Sequence, residues 1–156
     1  AVPETARTGT ARLAERAFKK GRGLFNRLGY RDPAEVVDDH FPIWLTTGRR
    51  LQAYHSRTQT GRSAGIEYLL PGESLEIHPE DAERLKLTHG DNCRLSSRRG
   101  SLEIPVNITD RSPRGTVFAS FSFAEIPINI LTGSGYDPVT ETAELKVCAV
   151  KVEAIN

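Results

Sequence analysis

A small, mainly β barrel is the fold class this sequence predicts, and three observations predict it. Short apolar or alternating runs recur at residues 41–45, 75–77, 92–96, 102–108, 116–121 and 145–152, each the length of a strand rather than a helix. Turn-rich segments such as Arg98-Arg99-Gly100 and Asp110-Arg111-Ser112-Pro113-Arg114-Gly115 separate them. Only one clear helix start stands between strands, so the alternation of a doubly wound sheet is missing.

The chain has 156 residues, 38% hydrophobic and 26% charged, which suits one soluble globular domain. Residues 1–31 hold eight Lys/Arg against Glu4 and Glu15, while the remainder holds thirteen against eighteen acids. A basic arm is compatible with nucleic acid or an anionic membrane surface. Leu13, Ala14, Ala17, Phe18, Leu24, Phe25 and Leu28 nevertheless recur at roughly helical spacing through it. The arm is therefore read as a segment with an apolar packing face and a solvated basic face, interrupted by Gly21 and Gly23. Residues 1–40 form a basic, flexible or helical N-terminal arm and linker, and 41–156 the barrel domain. No apolar run nears the roughly 18 residues of a membrane span, so membrane insertion is not expected, and with the arm read as a packing segment neither is nucleic acid. Starting at Ala1 rather than Met, the chain reads as a piece of a longer one.

Phe41-Pro42-Ile43-Trp44-Leu45 is a buried strand, ended by Thr46-Thr47-Gly48-Arg49-Arg50. From Leu51 to Gly65 a long polar loop follows, a common seat for binding residues. After the strand at Leu75-Glu76-Ile77, Pro79 opens a short helix with acids in its first turn. Cys93 and Leu95, then Leu102, Ile104, Val106 and Ile108, alternate with polar residues about the 98–100 turn, which makes a hairpin with one buried face. A strand at 116–121, an irregular loop at 127–138 and a last strand at 145–152 complete the order.

Chemistry-bearing patterns are few. There is no nucleophile elbow, phosphate-binding P-loop or GxGxxG, and no supportable Ser/His/Asp order. Gly100-Ser101 and Gly133-Ser134 are read as turns rather than self-cleavage sites. His40, His55, His78 and His89 are too scattered for a metal site and are read as surface or hydrogen-bonded histidines. Cys93 and Cys148 lie far apart in apolar runs, so they are read as buried structural thiols. Two cysteines cannot hold an iron–sulfur cluster, and any such cluster lies outside this chain. What remains is an anion-binding constellation. Thr46-Thr47-Gly48-Arg49 sets hydroxyls, an open backbone and a guanidinium at a strand end, and residues 55–62 add further donors.

The order of these residues carries a resemblance. Thr46-Thr47-Gly48-Arg49, Tyr54-His55, Thr58-x-Thr60-Gly61-Arg62 and Glu76-Ile77-His78-Pro79-Glu80-Asp81-Ala82 are followed by Gly90-Asp91, Ser97-Arg98-Arg99-Gly100 and Thr109-Asp110-Arg111. Gly115-Thr116-Val117-Phe118, Asn129-x-Leu131-Thr132, Asp137-Pro138 and Lys146-Val147-Cys148-Ala149-Val150 come next. Over about residues 41–153 the chain resembles the C-terminal molybdopterin-dinucleotide-binding domain of formate dehydrogenases and related molybdenum or tungsten oxidoreductases. The resemblance implies a double-psi β-barrel that closes over two molybdopterin guanine dinucleotides holding Mo or W. It implies cofactor contacts from Thr47, Gly48, Arg49, His55, Thr58, Thr60, Asn129 and Lys146, with Arg50 on the solvated side. It implies no catalytic residue or metal ligand here, because the metal's ligand, the iron–sulfur cluster and the catalytic His lie upstream in the family. The isolated fragment is thus expected to be inactive.

Partners implied are the upstream domains of the same polypeptide and electron-transfer subunits, in the cytoplasm, with a periplasmic full-length enzyme left open. Gln59 replaces a usual Met, Ala119-Ser120-Phe121-Ser122 replaces Met-Pro-Phe-His, and Glu144-Leu145-Lys146 replaces Glu-Tyr/Phe-Lys. Formate fits best as the whole enzyme's substrate, with nitrate reductases sharing much of the pattern. A double-psi barrel acting as a protein-binding adaptor is the rival of another class, and it has no need of the 46–62 segment.

Overall fold

A computed structural model describes Phe18 and residues 21–155. The chain divides into two compact units, Ala1–Arg31 and Asp32–Asn156. In the first, Phe18 and Gly21 exchange backbone hydrogen bonds of 3.0 and 2.9 Å, and no helix lies among the described residues. Leu24, Phe25 and Leu28 are exposed; the expectation for Leu13, Ala14 and Ala17 lies outside the described residues.

The second unit holds six strands: β1 (Ile43–Gly48), β2 (Leu75–Ile77), β3 (Asn92–Ser96), β4 (Ser101–Ile108), β5 (Thr116–Ser120) and β6 (Val147–Ala154). They close into a barrel in the order β1-β5-β2-β4-β3-β6. β1 pairs parallel with β5, β2 pairs parallel with β4, and the other four pairings are antiparallel. Advancing every strand by three places maps this pairing scheme onto itself. The barrel is thus two interlocked three-strand halves, the double-psi arrangement that the resemblance implied.

Alternation sets the register. In β1, Ile43, Leu45 and Thr47 are buried while Trp44, Thr46 and Gly48 are half-buried. A one-residue slip would exchange the two sets. Leu45, Leu75, Ile77, Leu95, Ile104, Val117 and Val150 form the centre of the core, each side chain contributing roughly 1.5–3 kcal/mol on burial. β1 runs three residues beyond the sequence reading, because Thr46, Thr47 and Gly48 find partners in Phe118, Ala119 and Ser120 of β5.

Two short helices sit on the strand connections, α1 (Ala64–Leu69) and α2 (Pro79–Arg84). α2 starts as its sequence predicts, with Pro79 in the first turn and the His78 imidazole accepting from the Glu80 N–H at 3.2 Å. Asp81 Oδ2 accepts from Gly115 N–H at 2.6 Å, tying α2 to the turn before β5. α1 starts at the end of the 51–65 stretch read as loop and continues past it, where the sequence reading assigns no element. It buries no residue of its own and is pinned by the ion pair between Arg57 and Glu67.

Candidate functional site

At one end of the barrel the C-terminus of β1, the N-terminus of β6 and the tail of β5 meet. Thr47 donates its N–H to Lys146 O at 3.1 Å and its hydroxyl to Leu145 O at 2.5 Å. Phe121 N–H reaches Gly48 O at 3.4 Å. These bonds bring Arg49 and Lys146, about a hundred residues apart, over the same ring. The Arg49 guanidinium lies 5.4 Å and the Lys146 ammonium 5.6 Å from the centroid of Phe121. Both side chains belong to exposed residues, and among the described residues neither has a carboxylate partner. Two cations without a carboxylate partner beside one ring leave charge that a bound anion would neutralise. Gly48 lies flat beneath Phe118, where a Cβ would come within 2.7 Å of the ring.

Arg50 behaves differently from the expectation of a solvated side chain. Its guanidinium pairs with Glu73 at 2.7 Å and with Glu76, donates to Ser74 O at 3.0 Å, and stacks 5.0 Å from the Phe118 centroid. Glu73 has no exposed side-chain surface and also accepts from the Ser120 hydroxyl. Burial pushes the Arg50 guanidinium down, but Glu73 and then Glu76 more than compensate and raise its pKa above the ordinary value. This corrects the assignment of Arg50 to solvent. The chain turns after β1, so adjacent residues face different surroundings, and two acids on the β2 side draw Arg50 inward.

The polar loop after β1 is built by its own hydrogen bonds. Tyr54 N–H donates to Thr60 Oγ1 at 3.2 Å, and the Ser56 and Thr58 hydroxyls lie 3.0 Å apart. His55 packs edge-on against Tyr54 with centroids 4.6 Å apart. His55 at φ 48° and Arg57 at φ 61° adopt left-handed backbone to make the turn. Arg57 fastens the loop from below, its guanidinium 4.0 Å from the Phe123 centroid and paired with Glu67 of α1. Arg57 Nε and the Ser122 hydroxyl are buried without hydrogen-bond partners. Asn129 lies in a 3₁₀ turn at Ile128–Ile130, exposed, with its carbonyl taken by the Thr132 hydroxyl at 2.9 Å.

The structure therefore gathers Thr47, Gly48, Arg49 and Lys146 at one strand end. His55, Thr58 and Thr60 share one loop, and Asn129 stands on a separate turn. Phe121, Arg57 and Glu73 are the contributors that sequence reasoning did not single out. Phe118, Phe121 and Phe123 on β5 and its tail were the available signal, since each lies under a cation. His78 caps α2, and His89 Nδ1 accepts from Ile108 N–H at 3.3 Å. Cys93 and Cys148 are buried free thiols, and burial pushes them up to about 12 and about 11 respectively. At neutral pH both are protonated and inert.

A closed double-psi barrel with two cations near one end, neither paired to a carboxylate among the described residues, fits a domain that binds an anionic cofactor. The chain belongs to the molybdopterin-dinucleotide-binding domain family, whose model (Molydopterin dinucleotide binding domain) matches residues 43–149. It is 42% identical over 149 residues to the F420-dependent formate dehydrogenase 2 subunit alpha of Methanococcus maripaludis, covering 94% of this chain and 22% of that protein. Identity to the F420-dependent formate dehydrogenase subunit alpha of Methanocaldococcus jannaschii is 40% over 135 residues, covering 86% of this chain and 20% of that one. The chain thus spans about a fifth of the length of the curated relatives it matches. Among solved structures, acetylene hydratase from Pelobacter acetylenicus shares the fold, with TM-score 0.68 at 17% identity over 81% of this chain and 21% of that one.

Family membership makes molybdopterin dinucleotide the cofactor class, and the residues present fit it. Arg49 and Lys146 would offer charge to phosphates, and the unpartnered Ser122 hydroxyl would offer a spare donor or acceptor. Among the described residues, no helix is long and apolar enough to cross a membrane.

Proposed function

We propose that this chain is the cofactor-holding C-terminal domain of a formate dehydrogenase alpha subunit. It grips two molybdopterin guanine dinucleotides that carry Mo or W, while upstream domains of the same polypeptide supply the metal ligand and the iron–sulfur cluster. Electron-transfer subunits complete the assembly, in the cytoplasm. The observation that carries the reading is the pair of unneutralised cations, Arg49 and Lys146, over Phe121. The similarity to formate dehydrogenase alpha subunits supports formate as substrate.

In this reading Arg49 and Lys146 bind phosphate oxygens, and Gly48 seats the Phe118 ring against the end of β1 beside them. Thr47 fixes the Leu145–Lys146 backbone, and His55, Thr58, Thr60 and Asn129 donate from the flanking loops. The cofactor supplies the redox chemistry; this domain binds and orients it.

The test is bound pterin and metal per protein in the full-length enzyme. Arg49→Ala and Lys146→Ala should each weaken retention about ten- to a hundredfold, the loss of one charged hydrogen bond. Arg94→Ala, which removes an exposed charge from β3, should change it less than about threefold. Full retention in both variants would overturn the reading, and turnover of nitrate without formate turnover would reassign the substrate.

A further inference from the structure

Residues 32–40 precede the first strand, yet they belong to the barrel's compact unit. Ala34 N–H donates to Glu144 Oε2 at 2.9 Å. Its methyl group lies where a Cβ on Gly135 would come within 2.6 Å, so only glycine admits this approach. Glu35 bridges two arginines of the β3–β4 turn, one oxygen pairing with Arg98 and the other lying 2.6 Å from the Arg99 guanidinium. Asp38 also pairs with Arg98 and accepts from the His40 and Phe41 N–H groups at 2.9 and 2.8 Å. The Arg98 guanidinium lies 4.8 Å from the Phe41 centroid. Residues 34–38 are a strap.

The strap leads to two places that matter for cofactor contact. Arg99 Nε donates to Leu131 O at 2.8 Å, holding the turn that carries Asn129. Glu144, held by Ala34 and by its own N–H to Gly135 O at 2.8 Å, stands two residues before Lys146. Between these two loops residues 134–143 are almost wholly exposed, and a cavity of about 670 Å³ lies beside the strap. With so little apolar packing, these polar ties help to hold the loop in position, beside its own internal bonds such as the Tyr136–Ala143 bridge.

We propose that Glu35 is a positioning residue for the cofactor contacts of Asn129 and Lys146, acting by locking the 34–38 strap onto Arg98 and Arg99. The segment that enters the barrel thereby sets the spacing of two loops that grip the cofactor. The roles of Asn129 and Lys146 are those of the reading above; the strap's mechanical role stands apart from it.

Hydrogen–deuterium exchange on the 156-residue chain without cofactor tests the mechanical part. Glu35→Gln keeps the side chain's size and removes its charge. Exchange should rise about tenfold in residues 129–135 and 143–147, with β1 and β4 unchanged. Gly135→Ala, which keeps the ion pairs and displaces Ala34, should raise exchange at 143–147 but not at Leu131. Unchanged exchange in both loops, or a uniform rise across the barrel, would overturn the proposal. In the full-length enzyme Glu35→Gln should lower bound pterin about tenfold. Loosened loops with full pterin retention would also overturn it, and would leave the reading to be judged separately by Arg49→Ala and Lys146→Ala.

Discussion

Arg49 and Arg50 are neighbours with the same side chain and opposite work. Arg49 is exposed with its guanidinium over the Phe121 ring, whereas Arg50 neutralises the buried carboxylate of Glu73. The energetic consequences differ accordingly. Arg50→Ala leaves the buried Glu73 carboxyl without its guanidinium partner, which should cost about 3–5 kcal/mol in chemical denaturation of the chain. Arg49→Ala should move the same midpoint by no more than about 0.5 kcal/mol. On the proposed reading, cofactor retention and stability should thus separate at adjacent positions. The dipeptide alone could not say so, because Glu73 and Glu76 lie 23 and 26 residues further on.

Among the elements, α2 shows how a short helix becomes part of a barrel. Its Asp81 is buried, and burial by itself would raise the carboxyl pKa. The Gly115 N–H, then Arg84 at 2.9 Å, outweigh this and hold it below the usual carboxylate range. A carboxyl whose folded pKa lies below its unfolded one contributes stability above the unfolded value of about 3.9, lost as pH falls through the folded value. Melts of the chain taken from neutral pH down through that window should show the loss. Asp81→Asn should be less stable at neutral pH by about 1–3 kcal/mol and show a flatter acid limb. An equally steep limb would mean that other carboxylates carry it. α1 is the opposite case. With no buried face and no side-chain cap, it left no periodic signal, and a tertiary ion pair to Arg57 holds it.

For the whole molecule, the question is where the barrel begins. Strand patterning places its start at 41, while the strap brings residues 34–38 onto the β3–β4 turn. A chain beginning at Asp32 should melt cooperatively like the parent. One beginning at Phe41 should keep the closed barrel and its cooperative melt but lose about 2–8 °C of Tm, as expected for a small stability loss in a domain of this size. Equal melting temperatures would show that the strap adds no stability, and a molten truncated chain would place residues 34–38 in the core.

Six strands, the Pro-started helix and the hairpin with its buried Cys93 and Leu95 were legible in the sequence, because burial of alternate side chains writes a period of two into the chain. The Thr46–Arg49 turn was legible too, since hydroxyls, glycine and guanidinium at a strand end are a local pattern, and its anion-binding role is the reading proposed above. Closure of the barrel was not local. The parallel pairings β1/β5 and β2/β4 join segments about seventy and thirty residues apart, and no period in the chain records which strand lies beside which. The same limit hid the meeting of Arg49 with Lys146 over Phe121, the capture of Arg50 by Glu73 and the clamp of Glu35 on Arg98 and Arg99. Charged side chains read one at a time all look solvated. Only the tertiary structure decides which are neutralised inside and which are left facing outward for a ligand, because pairing depends on distance in space and not along the chain.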